Sequence, residues 1–332
     1  MHKHKLILIV TTLMVLPALS AMATPPDYMT ARVEPMCSGG DSLSFMMFTT
    51  GNEGSHYIAA NHWSLQMIDL AARTQQGKTL GSHAAIYINV IEEGDKPELT
   101  WGEPKNISIT ETLKEWGMQD CALYDSSKLW TPAPGRFNYQ IVDQTLTVSW
   151  AGAKRTLKSA LHIDPRGEYW NNEQRYTEAE RPLPEHSFEV YDTEGGSIDF
   201  KSELILDTRV ALLFDVNFET DNYVHIVGVD KKELDHAKSW LVNAAGLELH
   251  RKGEHENARY YFEKALGIES TNDTARYNLA CAHSQLGNAP KAIHELQEMA
   301  DTEGLKAKVK KDNDFDPIRK DPEFKKLLKT LK

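Results

Sequence analysis

Two consecutive segments that resemble each other at a fixed offset decide the fold of the C-terminal third. The first is SWLVNAAGLELHRKGEHENARYYFEKALGIESTN, from Ser239 to Asn272, and the second is DTARYNLACAHSQLGNAPKAIHELQEMA, from Asp273 to Ala300. Matching positions lie 34 residues apart. Self-similarity at a period of roughly 20–50 residues is typical of arrays in which each repeat is one supersecondary unit. We therefore expect two helix–turn–helix repeats, at about residues 239–272 and 273–303.

The residue types at the matched positions are those that two closely packed helices need. Small residues let helices approach each other, and a glycine after a helix can take the left-handed conformation that ends it. The matched pairs are Gly246 with Ala280, Gly253 with Gly287, Ala258 with Ala292, Phe262 with Leu296, and Ala265 with Met299. This pattern resembles the tetratricopeptide repeat, in which helix A and helix B of each repeat form an antiparallel pair.

Three positions depart from the family pattern. Ser270 stands where the family often has proline, Met299 replaces a small residue, and Pro290 falls in the first turn of a helix B, where proline is tolerated. Two repeats are fewer than a stable array usually needs, so the flanking segments must cap them. The segment from Lys310 onward, KKDNDFDPIRKDPEFKKLLKTL, resembles the end of many such arrays. Its apolar stripe consists of Phe315, Ile318, Phe324, Leu327 and Leu328.

The resemblance also implies a protein-binding face, because partners of related repeats contact the surface formed by the A helices. Position by position, this predicts a protein or peptide partner at Trp240, Asn243, Leu247 and Arg251 in the first repeat and at Tyr277, Asn278, Cys281 and Gln285 in the second. Asn278 matches a position that the family often uses for hydrogen bonds to a peptide backbone. The same face is also suited to packing against the preceding domain, and the sequence leaves both alternatives open.

Residues 24–230 read mainly as strands, because apolar residues alternate with polar ones between turn residues. The predicted strands include Ser44–Thr50, His62–Ala71 and Ala84–Glu93, and two hairpins are expected within Phe137–Trp150 and Val210–Val229. A short helix over Thr110–Trp116 is indicated by the capping pair Ser108 and Glu111. The chain is therefore predicted to be α+β, with an all-β sandwich or barrel-like domain at 24–230 followed by an all-α repeat array at 231–332.

The N-terminus has the features of a cleavable signal peptide. Lys3 and Lys5 precede an apolar run from Leu6 to Leu19, which is too short to span a bilayer. An A-x-A pattern then predicts cleavage after Ala23, so that residues 1–23 are removed. We expect a periplasmic or secreted protein with no integral membrane segment after cleavage.

Charge is distributed unevenly along the chain. Residues 305–332 contain ten Lys or Arg and five Asp or Glu, which gives +5, and the signal peptide carries +2. Because the whole chain carries −11, residues 24–304 carry −18. Such an acidic body argues against nucleic acid as a partner. The basic tail is suited to an anionic lipid or an acidic protein, or it is simply a solvated helix face.

No catalytic motif, metal-binding spacing or cofactor-binding motif is readable, so no catalytic residue, metal or cofactor is predicted. The residue groups that could be considered are His56 and His62 with Glu53 as metal ligands, and His162 with Asp164 and Glu168 as an acid–base set. In an oxidising compartment Cys37 and Cys121 could form a disulfide, whereas Cys281 falls inside a repeat helix.

The long polar segment Asp164–His186 is predicted to be a loop, and it carries Tyr169, Trp170 and Tyr176. These rings either bind a ligand or cover the sheet. The first hypothesis is an exported, non-enzymatic scaffold that binds proteins through its repeats. The alternatives are a periplasmic enzyme or a carbohydrate-binding protein with its site on the β domain and the repeats as a docking platform.

Overall fold

The computed structural model describes residues 28–52, 58–86, 98–101, 108–118, 122–123, 137–142, 145–163, 181–182, 196–217 and 221–332. The strands are β1 (Tyr28–Gly39), β2 (Ser42–Asn52), β3 (Ile58–Asp69), β4 (Thr74–Ile86), β5 (Glu98–Trp101), β6 (Ala122–Leu123), β7 (Asn138–Val142), β8 (Thr145–Trp150), β9 (Ala153–Thr156), β10 (Leu161–Ile163), β11 (Arg181–Pro182), β12 (Ser197–Ile205), β13 (Arg209–Asn217) and β14 (Asp221–Asp230). The helices are α1 (Ile109–Glu115), α2 (Lys231–Arg251), α3 (His255–Ile268), α4 (Asp273–Gln285), α5 (Ala289–Gln297), α6 (Leu305–Lys311), a 3₁₀ helix (Asn313–Ile318) and α7 (Pro322–Thr330). The predicted α+β class is confirmed.

The described strands form one large sheet and one small sheet. The large sheet has the order β11-β4-β3-β2-β1-β14-β13-β12, with β10 paired to β14, β5 to β4 and β6 to β1. β1 and β14 run parallel, which joins the first and last strands of this part of the chain. The small antiparallel sheet has the order β7-β8-β9. Both predicted hairpins are present, as β7–β8 and as β13–β14.

The centre of the large sheet is buried on both faces. In β13, Leu212 and Phe214 pack with the small sheet and α2, whereas Ala211 and Leu213 pack into a second cluster on the opposite face. Such burial on both faces explains why β13 reads as a nearly continuous apolar run. The predicted short helix is also present as α1, where Ser108 Oγ accepts a hydrogen bond from Glu111 N at 3.3 Å.

Helix α2 begins directly after β14 and belongs to both halves of the molecule. Asp230 caps it by accepting hydrogen bonds from Lys232 N and Glu233 N. Leu234, Ala237 and Leu241 are buried in the same cluster as the strands of both sheets. The helix therefore starts at Lys231, eight residues before the first predicted repeat, and its first half is part of the sheet core.

The Glu233 carboxylate fastens the start of α2 to the segment between β9 and β10. It accepts hydrogen bonds from Lys158 N at 2.6 Å and from Ser159 N at 3.0 Å. Partial burial by itself raises the pKa of this carboxylate, but the hydrogen bonds from Ser159 and Lys158 outweigh burial and hold the pKa below its ordinary value of 4.5. The charged form is thus favoured in the folded protein.

Replacing Glu233 with glutamine should lower the free energy of unfolding at pH 7 by about 1 kcal/mol, because the charge-assisted hydrogen bonds weaken. The pKa of this carboxylate is lower in the folded state than in the unfolded state. Such a carboxylate stabilises the folded state at pH values above its unfolded-state pKa, and this stabilisation is lost as the pH falls through its folded-state pKa. The difference between the variant and the parent should therefore shrink below about pH 4.5. Urea unfolding between pH 3 and pH 7 measures it, with exposed Glu248→Gln as the control. A difference that is constant with pH would contradict this interpretation.

The repeat helices pack at the positions that the sequence period predicts. A Cβ atom at Gly246 would lie 2.7 Å from Phe262 Cε1, so a residue without a side chain is required where α2 meets α3. Gly253 and Gly287 follow the two A helices with φ angles of +80° and +72°, which is the left-handed conformation expected at these ends.

The segment after the repeats forms the predicted cap. The rings of Phe315 and Phe324 stack with centroids 5.7 Å apart, and both are fully buried. Ile318 and Leu327 are buried in the same cluster as α4 and α5, with Leu328 packed against it. Within the described ranges, no helix combines the length and apolar character that a bilayer crossing requires.

Candidate functional site

The A helices of the two repeats, α2 and α4, lie side by side and are joined by an asparagine pair. Asn278 Nδ2 donates a hydrogen bond to Asn243 Oδ1 at 2.9 Å. Asn243 is 4% exposed, whereas Asn278 is half-buried, so the pair lies at the floor of the face with Asn278 nearer to solvent. The structure thus brings together two of the residues that the sequence analysis assigned to the partner face.

The part of this face nearest the sheets is in contact with them. The guanidinium carbon of Arg155, in β9, lies 3.8 Å from the ring centroid of Trp240. This is a cation–π contact, and it places the small sheet against the start of the predicted partner face. The sequence left two alternatives for this face, partner binding or packing against the β domain. Trp240 packs against the β domain.

The second-repeat part of the face is covered by the cap. Tyr277 donates a hydrogen bond from its hydroxyl to Asp312 Oδ2 at 2.7 Å, and its ring packs edge-on against Phe315. The Lys308 ammonium lies 3.5 Å from the centroid of the same ring. Gln285 donates from Nε2 to the backbone oxygen of Asp314 at 3.1 Å. A partner would reach Tyr277 or Cys281 only if the cap moved, since both are at least 95% buried.

Burial also decides the chemistry of these groups. It raises the pKa of Tyr277 far above its ordinary value, and the hydrogen bond to Asp312 adds to this. Burial likewise raises the pKa of the Cys281 thiol, and the nearby carboxylates of Asp312 and Asp314 raise it further. A thiol that keeps its proton is a poor nucleophile. Cys281, which is free, therefore acts as a packing residue.

His250 forms a contact with the cap that the repeat pattern did not predict. Its Nε2 lies 3.0 Å from Asp314 Oδ2, which links the end of α2 to the cap. His255 Nδ1 lies 3.2 Å from His250 Nδ1. Burial lowers the pKa of His255, and the neighbouring His250 lowers it further. The sequence feature that could have indicated this contact is the pair of carboxylates Asp312 and Asp314 directly before Phe315, because they offer acceptors for a histidine at the cap.

Cys281, Asp312 and Asp314 bring potential metal-ligand atoms within 4.8 Å of one another. Their carboxylate oxygens are already used inside the protein. Asp312 accepts from Asp314 N at 3.0 Å and from Tyr277, and Asp314 faces His250 and Gln285. We assign the group to fastening of the cap.

The outer part of the face is accessible. Arg251 has a side chain that is 63% exposed and pairs with Glu248 at 2.5 Å. Leu247 is half-buried and packs against the apolar cluster that contains Ala258 and Phe262. Together with Asn278, these residues form a surface that we call the outer A-helix face, defined as Leu247, Arg251 and Asn278.

Several predicted residues lie outside the described part of the chain, and those predictions stay open. They are the signal peptide, Glu53, His56, Cys121, Asp164, Glu168, Tyr169, Trp170 and Tyr176. Cys37, the described member of the predicted Cys37–Cys121 pair, is buried and disulfide-bonded, and its Sγ lies 3.1 Å from Ser44 Oγ. His162 Nδ1 lies 3.1 Å from His225 Nε2, in a stacked pair of rings.

The family model of the tetratricopeptide repeat matches residues 249–309. The match begins at the end of α2, runs through the second repeat and ends inside α6, so the resemblance inferred from the sequence period is confirmed for the C-terminal third. No curated protein and no solved structure matches the chain. The match indicates a protein-interaction or scaffold module, because these repeats commonly bind protein partners.

Proposed function

We propose that the protein is exported through a signal peptide that is cleaved after Ala23 and that its repeat region binds a protein partner through the outer A-helix face. The observation that carries this proposal is the division of the A-helix surface into three parts. Arg155 covers Trp240, and the cap covers Tyr277, Cys281 and Gln285. The remaining part of the surface is accessible to another molecule.

The chemistry of the outer face suits a peptide segment. Asn278 uses its Nδ2 on Asn243, and no residue that the structure describes donates to Asn278 Oδ1. That oxygen is therefore available to accept a hydrogen bond from a peptide N–H. Leu247 offers a half-buried apolar surface next to the exposed Arg251. Arginine beside apolar surface is typical of the residues that contribute most to protein binding.

A photo-crosslinking experiment tests the proposal. A photoreactive phenylalanine is placed at Arg251 on the outer face or, as the matched control, at Tyr260, which is 53% exposed on helix α3. We expect one protein to be crosslinked in native extract from position 251 and not from position 260. The yield should fall about tenfold when the probe at position 251 is combined with Leu247→Ala, if this side chain contributes the roughly 1.4 kcal/mol of a strong contact.

The same sample reports on export. In cells that express the full chain, the crosslinked product should contain this protein with an N-terminus that begins TPPDYM, at Thr24. Equal crosslinking from positions 251 and 260, or a chain that keeps its first 23 residues, would contradict the binding face or the export step respectively. The enzyme and carbohydrate-binding alternatives rest on Tyr169, Trp170 and Tyr176 and on the His162 set, and most of these residues lie outside the described ranges.

A further inference from the structure

A surface cavity that opens widely to solvent lies beside helix α6, away from the residues of the outer A-helix face, and its lining includes the apolar stems of several lysines. Its volume is about 370 Å³, and its lining residues are Gly304, Lys306, Ala307, Lys310, Lys311 and Lys332. Four of these six residues are lysines. Four of the ten Lys and Arg residues in 305–332 therefore line this one cavity.

The backbone around the cavity is fixed by packing. Leu305 and Val309 are at most 3% exposed in the cluster that also holds the cap, so α6 is anchored on that side. Because residues at a spacing of four share a helix face, Lys306 and Lys310 form a neighbouring stripe along α6. Lys306 N donates to Lys332 O at 2.8 Å, which holds the other wall against the start of α6.

The lysines that line the cavity are incompletely paired with carboxylates among the described residues. Lys332 pairs with Asp301 at 2.6 Å, but both side chains are largely exposed. Among the described residues, no carboxylate lies within ion-pair distance of Lys306, Lys310 or Lys311. Like charges at a spacing of four on a helix repel each other. An anion in the cavity would replace this repulsion with attraction.

We infer that this cavity binds a compact anion of the phosphate class, either a free phosphorylated small molecule or the headgroup of an anionic phospholipid. Lysine ammonium groups are common phosphate binders and act as point charges without the planar geometry that arginine imposes. The volume lies at the lower end of the range for small-molecule sites, which fits one multiply charged group. The acidic remainder of the chain disfavours a long polyanion lying across the surface.

Calorimetric titration of the full chain with pyrophosphate tests the inference. The variant Lys306→Gln/Lys310→Gln removes two lysines that line the cavity, and the control Lys325→Gln/Lys326→Gln removes the same charge from exposed positions on α7. We expect the first variant to weaken binding about tenfold or more and the control to change it less than about threefold, since attraction near a surface falls with distance and screening. Equal weakening in both variants, or no binding of pyrophosphate, would overturn the inference.

Two further arms distinguish the sources of the anion. Vesicles of phosphatidylcholine with and without phosphatidylglycerol are floated with the chain at constant ionic strength. Flotation that needs phosphatidylglycerol, is displaced by pyrophosphate and is lost in Lys306→Gln/Lys310→Gln assigns the site to a lipid headgroup. Pyrophosphate binding without flotation assigns it to a soluble phosphorylated ligand. Neither result depends on the outer A-helix face, so the two proposals succeed or fail separately.

Discussion

Replacing Leu241 with alanine should lower the free energy of unfolding by about 3 kcal/mol, within the range for removing a large buried side chain from a packed core. Leu241 is fully buried, and its cluster includes Leu212 and Phe214 of the large sheet and Val148 of the small sheet. The empty space left by the shortened side chain would therefore destabilise the sheets and the first repeat helix together. We expect one cooperative transition at a lower urea concentration.

Hydrogen exchange followed by mass spectrometry distinguishes shared from local destabilisation. Peptides from β13–β14 and peptides from α4 should lose similar protection in Leu241→Ala, because both depend on α2. The control is Leu286→Ala, at a position that is 36% exposed after α4, where the change should stay within about 0.5 kcal/mol. Loss of protection confined to α3 and α4 would show that the repeats unfold independently of the sheets.

This coupling explains how two repeats can form a stable array. A repeat buries its apolar face only against its neighbours, and about three repeats are usually needed. Here the sheets cover the first half of α2. The segment 312–331 covers the side of the second repeat that would otherwise be exposed. The β part of the chain thus serves as the N-terminal cap of the repeat region, in addition to any binding function of its own.

Local pattern was sufficient to predict the parts of the fold that depend on near neighbours. The alternation in Phe137–Trp150 predicted the β7–β8 hairpin, and the 34-residue period predicted the left-handed Gly253 and Gly287. The change to helical spacing after Lys231 predicted where the helical region begins, and α2 starts there. The pattern did not show that Leu234 and Ala237, which lie before the matched repeats, pack into the core of the sheets.

Long-range pairings could not be inferred in the same way. The parallel pairing of β1 with β14 joins strands that are nearly 200 residues apart, and strand periodicity does not specify a partner. The covering of Tyr277 by Asp312 and of Trp240 by Arg155 likewise depends on which elements meet in space. The repeat pattern alone therefore identified the right helix face without showing how much of it is accessible.

Among the ion pairs of the described residues, Lys238–Glu203 should be the one whose loss costs most. Lys238 Nζ on α2 lies 2.6 Å from Glu203 Oε1 on β12, and both side chains are 13% exposed. Tyr139 donates its hydroxyl hydrogen to Glu203 Oε2 at 2.9 Å. In Lys238→Met the carboxylate would keep the Tyr139 bond while losing its counter-charge in a place with little water. Breaking such a pair from one side costs about 3 kcal/mol.

A double-mutant cycle separates the cost of the unpaired charge from the value of the pair. We expect Lys238→Met/Glu203→Gln to recover at least half of the loss, because a neutral amide is cheaper to bury than an unpaired carboxylate. The matched control on the same helix is Lys231→Met, whose partner Asp235 lies at 2.7 Å but is 30% exposed, and its effect should stay below about 1 kcal/mol. Urea unfolding at pH 7 measures Lys238→Met, Glu203→Gln, the double variant and Lys231→Met. Equal losses in Lys238→Met and Lys231→Met would show that water screens both pairs alike and that the ion pair does not fasten α2 to the sheet.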